Sequence, residues 1–152
     1  NKLSQNIAHF GFSLLILSIL FNNIFSTEII SNLKIGETFE GKNFKIKFEK
    51  IKQKEEYNYK SIKGKFKIEN LDGSIEVLYP ELRIYNQPNI VTSEADIKTN
   101  FLTDKFMTMN YVQNQDYFNV RYQVKPFMIW IWLSVILISL GGFVSFFKRY
   151  EN

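Results

Sequence analysis

Two long apolar runs bracket a segment in which apolar and charged residues alternate. The first covers residues 7–26 and opens Ile7-Ala8-His9-Phe10-Gly11; no Lys, Arg, Asp or Glu falls between Lys2 and Glu28. The second covers 127–147, again uncharged, with Lys125-Pro126 before it and Lys148-Arg149 after it. A helix rises about 1.5 Å per residue, so roughly 20 such residues cross a hydrocarbon core of about 30 Å. The pattern predicts transmembrane helices over 6–26 and 126–147, with Trp130 and Trp132 as interface anchors. A signal peptide with its apolar stretch at Phe12–Phe21 is the other reading of the first run. Ile24 and Ser26 make a poor small-x-small cleavage site, which favours the helix, although Asn22, Asn23 and His9 weaken it.

Between the runs the period is two. Phe44, Ile46 and Phe48 alternate with Lys45, Lys47 and Glu49; Ile62, Gly64, Phe66 and Ile68 alternate with Lys63, Lys65, Lys67 and Glu69. This is the signature of strands with one face buried. Asp72-Gly73 then separates that run from Ile75, Val77 and Tyr79, which alternate with Ser74 and Glu76, a hairpin signal. Phe118, Val120, Tyr122 and Val124 form another file, opposed by Asn119, Arg121 and Gln123. Weaker strands are expected at Glu28–Ile35 and Lys105–Val112, with breaks at Gly36 and Gly41. The stretch Tyr85–Ile90 reads as a loop, because Pro88 has no N–H to give to a ladder. Ser93–Phe101 is expected to be a short helix with Ser93 as its N-cap. Six or seven short strands in residues 27–125 predict a small antiparallel barrel or sandwich. The expected fold class is thus a membrane protein of α+β type, two transmembrane helices flanking an all-β extracytoplasmic domain.

Charge sets the orientation. Lys2 precedes the first run, and Lys148 and Arg149 follow the second, so both flanks, including the tail 148–152, are expected on the cytoplasmic or matrix side. Residues 27–125 then lie opposite. The chain of 152 residues has a formal charge of +4, and its 19 basic residues include only three Arg. The Lys-rich stretch from Lys42 to Lys67 is interleaved with Glu49, Glu55 and Glu56, which reads as a solvated face and argues against nucleic acid. Abundant Ile (19) and Asn (15) fit an AT-rich coding genome, a statement about source.

No Cys and a single His exclude disulfides, thiolate metal sites, Cys nucleophiles and any multi-His metal site within this chain. No catalytic constellation emerges; Glu81 and Arg83 read at most as a structural pair. Ser134, Gly141 and Ser145 place small residues on one face of the second helix, which points to close packing in a helix bundle. His9 stands out: an ionisable group within a membrane-spanning helix is costly and marks a candidate site. Imidazole is a common heme-iron ligand, but one His supplies one axial bond. A His hydrogen-bonded near the interface is the plainer reading.

The motifs, in order, resemble the C-terminal part of the cytochrome c maturation heme lyase subunit family (CcmF and its nitrite-reductase-linked relatives). Ala8-His9-Phe10-Gly11 opens the first helix as in that family. Tyr79-Pro80-Glu81-Leu82-Arg83-Ile84-Tyr85 is similar to its Pro/Ala-Glu-Lys-Arg-aromatic-Tyr pattern. Thr92-Ser93-Glu94-Ala95-Asp96-Ile97 resembles its Thr-Glu-Ala-Ala-Ile with one extra residue. Leu102-Thr103-Asp104-Lys105-Phe106 resembles its Thr-Arg-Asp-Leu-Tyr without the Arg. Lys125-Pro126-Phe127-Met128-Ile129-Trp130-Ile131-Trp132 matches Lys-Pro-Phe-x-x-Trp-Ile-Trp, and Gly141-Gly142 falls on its Gly-Gly.

The resemblance implies the C-terminal piece of a longer inner-membrane protein, bacterial or mitochondrial, with residues 27–125 on the periplasmic or intermembrane side. It implies heme attachment to apocytochrome c, with a heme chaperone and other maturation subunits as partners. It also implies a b-type heme held between transmembrane His residues, with His9 at one of those positions as an axial ligand to the iron. The family's Trp-rich loop and its other His residues lie upstream of this stretch. The opposing expectation is a membrane-anchored β-domain scaffold that binds partners without a cofactor.

Overall fold

The computed structural model describes residues 2–150. Among them are two helices and ten strands: α1 (Lys2–Phe25), β1 (Thr27–Leu33), β2 (Thr38–Glu40), β3 (Phe44–Glu55), β4 (Tyr59–Asn70), β5 (Ile75–Leu78), β6 (Glu81–Tyr85), β7 (Ile90–Glu94), β8 (Asp96–Thr99), β9 (Thr103–Tyr111), β10 (Phe118–Pro126) and α2 (Met128–Tyr150). Glu151 and Asn152, the end of the expected tail, lie outside the described residues. The chain divides into a helical unit (up to Thr27, Thr99–Asp104 and from Val124 on) and a β unit (Glu28–Lys98 and Lys105–Gln123).

The β unit is built from two sheets. One runs β1-β10-β9-β8; the other runs β2-β3-β4-β6-β7, with β5 also paired to β4. β4 is the spine of the second sheet. Its outer half pairs Phe66↔Leu78 and Ile68↔Glu76 with β5, and its inner half pairs Ile62↔Leu82 and Lys63↔Glu81 with β6. β5 and β6 are thus one strand interrupted at Tyr79-Pro80. Pro80 has no N–H for the ladder, yet its carbonyl still accepts from Gly64 N at 3.0 Å. Phe48, Phe66, Ile68, Leu78, Leu82, Met107, Met109, Val120 and Tyr122 fill the core, each at most 3% exposed. Phe48 and Phe66 stack at 4.3 Å, and Phe44 meets the Tyr122 ring edge-on at 5.0 Å.

A β-bulge between Phe48 and Lys50 decides which residues face water. Glu49 is the extra residue. Before it, Phe44, Ile46 and Phe48 point inward; after it the phase shifts, so that Ile51 pairs with Gly64 on the inner face and Lys50 and Lys52 pair with Lys65 and Lys63 on the outer face.

Several expectations need correction. Ser93–Phe101 is not a helix: β7 and β8 occupy it, and the Ser93 hydroxyl donates to Met109 O at 2.8 Å instead of capping a helix. Asp96 takes the Tyr79 N–H at 2.6 Å. Tertiary pairing overrides the local cap signal. The strands number ten among the described residues, not six or seven, because short β2, β7 and β8 carry too few residues to show a period. The file Ile75, Val77, Tyr79 is turned outward; Glu76 and Leu78 point in. Leu78 takes the core seat opposite Phe66, and Glu76 is compensated there by Lys105 Nζ at 2.8 Å. The hairpin at Asp72-Gly73 forms as expected, with Gly73 at φ 78° and the Asp72 carboxylate accepting from Ser74 N at 2.9 Å. Strands β1 and β9 lie where the weaker signals placed them, and residues 86–89 form the loop around Pro88.

In the helical unit α1 and α2 pack antiparallel along small residues. Ser4, Gly11 and Ser18 are the buried residues of α1, each seven apart. On α2, Ser134 is fully buried and Gly141 is buried seven residues later. A Cβ on Gly11 would lie 3.0 Å from Ile138 N, and one on Gly141 would lie 2.9 Å from Ala8 N and Ser4 O. The two backbones therefore touch, as small residues permit. The small-residue face expected on α2 packs on α1 through Ser134 and Gly141, while Ser145 is exposed. The hydroxyls of Ser18 and Ser134 donate to the carbonyls four residues back, at 2.7 and 2.6 Å, which leaves no polar group stranded in the contact. Both helices are long and apolar enough to cross a membrane, and their large apolar side chains point outward.

Candidate functional site

α1 positions His9, and it does so through its other face. Because Ser4, Gly11 and Ser18 are turned to α2, helical geometry puts Gln5, Asn6, His9 and Ser13 on the opposite side, where all four are exposed. They form a short polar stripe on a helix otherwise lined with Phe10, Phe12, Ile16, Leu17 and Leu20, each 46–62% exposed. His9 is thus an outward-facing imidazole on an apolar rod. No group of three or more His, Cys, Asp or Glu residues is gathered among the described residues, so no metal centre closes within them. The structure brings no second ligand to His9.

The other part of the helical unit fixes where α2 begins. Pro126 ends β10, and Phe127 takes a left-handed conformation (φ 61°), rare for a bulky residue. Three contacts hold it there. Asn22 Nδ2 donates to Pro126 O at 2.6 Å, Phe127 N donates to Leu102 O at 2.7 Å, and the Phe127 ring lies 5.3 Å from that of Phe21. Trp130 then donates its indole N–H to Phe101 O at 3.1 Å, with the two rings edge to face at 4.8 Å. Pro126, Phe127 and Trp130 of the Lys-Pro-Phe-x-x-Trp run therefore form a turn lock. Trp132, 65% exposed, has the exposure of an anchor; Trp130 is a structural clamp. Asn22, read from sequence as a weakness of the first helix, is the residue that holds the turn.

The β unit holds Glu81 and Arg83 on the outer face of β6. Glu81 accepts from the Ser61 hydroxyl at 2.5 Å and from Arg83 at 3.2 Å, with Lys63 at 3.8 Å. Burial pushes its carboxyl up, but Ser61, Arg83 and Lys63 together outweigh that and hold it below the ordinary value. Arg83 lies 5.2 Å over the Tyr59 ring and is held well above its ordinary range by the Glu81 hydrogen bond. This is the structural pair expected, enlarged to a cluster. Sequence reading missed Ser61 and Tyr59, which β4 supplies from across the ladder.

Comparison with known proteins places this arrangement. Residues 24–126 match the family described as the CcmF C-terminal beta-sandwich. A cytochrome c-type biogenesis protein CcmF of Pseudomonas aeruginosa is 29% identical over 145 residues, which is 95% of this chain and 22% of that protein. The Escherichia coli protein of the same name is 28% identical over 147 residues, 95% of this chain and 23% of that one. A probable cytochrome c-type biogenesis protein NrfE of Escherichia coli is 25% identical over 144 residues, 95% of this chain and 26% of its own length. The chain thus spans about a quarter or less of these curated relatives. A solved structure titled Cytochrome c Heme Lyase CcmF has the same fold, with a TM-score of 0.68 at 19% identity over 92% of this chain and 23% of that one. The family match runs from the end of α1 to the end of β10: the chain belongs to the CcmF C-terminal beta-sandwich family.

Proposed function

We propose that this chain is the C-terminal part of a membrane heme lyase subunit for cytochrome c maturation, and that His9 is one axial ligand of a b-type heme. What carries the reading is the match over 95% of the chain to proteins named for cytochrome c-type biogenesis. The residues present fit half of a heme site. The exposed imidazole, in a short polar stripe flanked by exposed Phe10 and Phe12, offers one nitrogen ligand to a flat apolar macrocycle. The second ligand belongs to a segment outside this chain. Heme, when bound, would supply a redox-active iron; α1 supplies the ligand, with Phe10 and Phe12 as apolar neighbours, and the small-residue seam with α2 fixes which face His9 presents. The β unit is read as periplasmic or intermembrane-side, where it supports attachment of heme to apocytochrome c alongside a heme chaperone and other maturation subunits.

The test is the oxidised and reduced absorption spectrum of the complete protein, with and without His9→Ala. A six-coordinate b-type spectrum, lost or converted in a variant that still folds, is the expected result. An unchanged heme spectrum, or no heme in either protein, sinks the ligand role and leaves a β scaffold held by two helices.

A further inference from the structure

The outer face of β3 and β4 carries lysines in direct cross-strand opposition. Lys47 faces Lys67, Lys50 faces Lys65 and Lys52 faces Lys63. Like charges opposite one another on a sheet repel. The bulge at Glu49 creates two of these pairs, because the added residue is what brings Lys50 and Lys52 to the face of Lys63 and Lys65. With Tyr79, these four lysines line a groove of about 310 Å³. A second hollow, about 390 Å³, continues it over Lys54, Tyr59 and Arg83, sharing Lys52 and Lys63.

Neighbouring carboxylates neutralise part of this charge and leave part standing. Glu49 holds Lys65 at 2.7 Å and Glu56 holds Lys54 at 2.6 Å; Glu81 is shared between Arg83 and Lys63. Lys50 and Lys52 meet no carboxylate among the described residues, and both are exposed. The groove therefore has two free ammonium groups at its centre and compensated ones around them.

We propose that this groove docks an extended acidic polypeptide segment. Side chains on one face of a strand repeat at roughly 6.8 Å. An extended segment with Glu or Asp at alternate positions has the same repeat, so its carboxylates fall in step with the Lys50–Lys52 row. A phosphate group fits less well. Its one guanidinium, Arg83, is committed to Glu81 and the Tyr59 ring. The rim carboxylates Glu49, Glu56 and Glu81 would repel a continuous polyanion such as nucleic acid. A concave groove also suits a chain better than the flat surface of an anionic bilayer. The inference uses no residue of α1 and stands apart from the heme reading.

The test uses the complete protein in phosphatidylcholine nanodiscs, titrated with a fluorescent Glu-Thr repeat peptide and followed by anisotropy. Lys50→Gln with Lys52→Gln is expected to weaken binding about tenfold at about 50 mM salt, and less at about 300 mM. Lys47→Gln with Lys67→Gln removes equal charge from the same face beyond the groove, and is expected to change binding less than about twofold. Relief of the cross-strand repulsion should leave the melting temperature of the Lys50/Lys52 variant unchanged or raised. Equal weakening by both double variants would overturn the proposal, as would a lowered melting temperature in the first. It also fails if the peptide does not bind, and binding of phosphatidylglycerol vesicles or inorganic triphosphate through Lys50 and Lys52 would then assign the groove to a lipid surface or a phosphate instead.

Discussion

In the helical unit the hidden residues are Ser4, Gly11, Ser18, Ser134 and Gly141, while Phe10, Phe12, Phe143 and Phe146 stand more than half exposed. In the β unit the hidden residues are Phe48, Phe66, Ile68, Leu78 and Leu82, while Lys50, Lys52 and Lys54 stand out. The same chain thus follows two opposite burial rules. The sandwich is assembled by removing apolar area from water. The helix pair cannot gain in that way where its surround is itself apolar, so it gains by close backbone approach and by hydroxyls that satisfy themselves inside the helix. Large apolar side chains on the outside of α1 and α2 are consistent with a membrane location.

Three measurements press on this contrast. The largest effect is expected from Phe66→Ala. Phe66 has no exposed surface and stacks on Phe48, so truncation should cost about 3–5 kcal/mol of β-unit stability, read by chemical denaturation followed through near-UV circular dichroism. The helix signal should persist through that transition; simultaneous loss of both would show that the two units do not obey separate rules. Next is Gly141→Leu, which must push Ala8 and Ser4 away and should cost about 1–3 kcal/mol, measured as loss of thermal stability in detergent. Its neighbour is the control: a Cβ on Gly142 meets nothing within 4 Å, so Gly142→Leu should be close to neutral. Equal effects at the two glycines would refute a backbone seam.

The smallest effect concerns the Glu81 cluster on the outer face of the sandwich. The Glu81 carboxyl lies below its ordinary 4.5 in the folded protein. Its contribution is therefore present above that ordinary value and is lost as pH falls through the depressed one. Glu81→Gln should cost about 1 kcal/mol at neutral pH and flatten the acid limb of the stability profile below pH 4.5. A variant with the parent's acid limb would show that other carboxylates set it.

The two units were unequally legible in the sequence. The apolar runs and the period-two files of β3, β4 and β10 gave the architecture, because each is long enough for a period to show and each has one buried face. β5 was found but its faces were reversed: Glu76 at an inward position is unreadable until Lys105, 29 residues on, arrives to compensate it. β7 and β8 were lost because a Ser that caps helices and a Ser that bonds a distant carbonyl look alike locally. The bulge at Glu49 hid the lysine groove; a strict alternation would have sent Lys50 inward. His9 was legible by its cost alone, and its outward aim follows once Ser4, Gly11 and Ser18 are seen as the seam. The contacts that clamp the start of α2 were not, since Asn22 donates to the Pro126 carbonyl and Trp130 to the Phe101 carbonyl, each far away along the chain.

The seven-residue spacing of the seam has a further consequence. A strict heptad of small residues winds two helices in a shallow left-handed sense, but it is also periodic. Sliding α2 along α1 by about 10.5 Å would bring small residues opposite small residues again. The seam by itself therefore fixes direction and distance but not phase. Phase is set at one end, where Asn22 grips Pro126 and Phe127 is folded back onto Leu102. The turn lock is in effect the origin from which the helix pair is counted, and a protein that lost it could keep its helices and its sandwich yet pair α1 with α2 one heptad out of step.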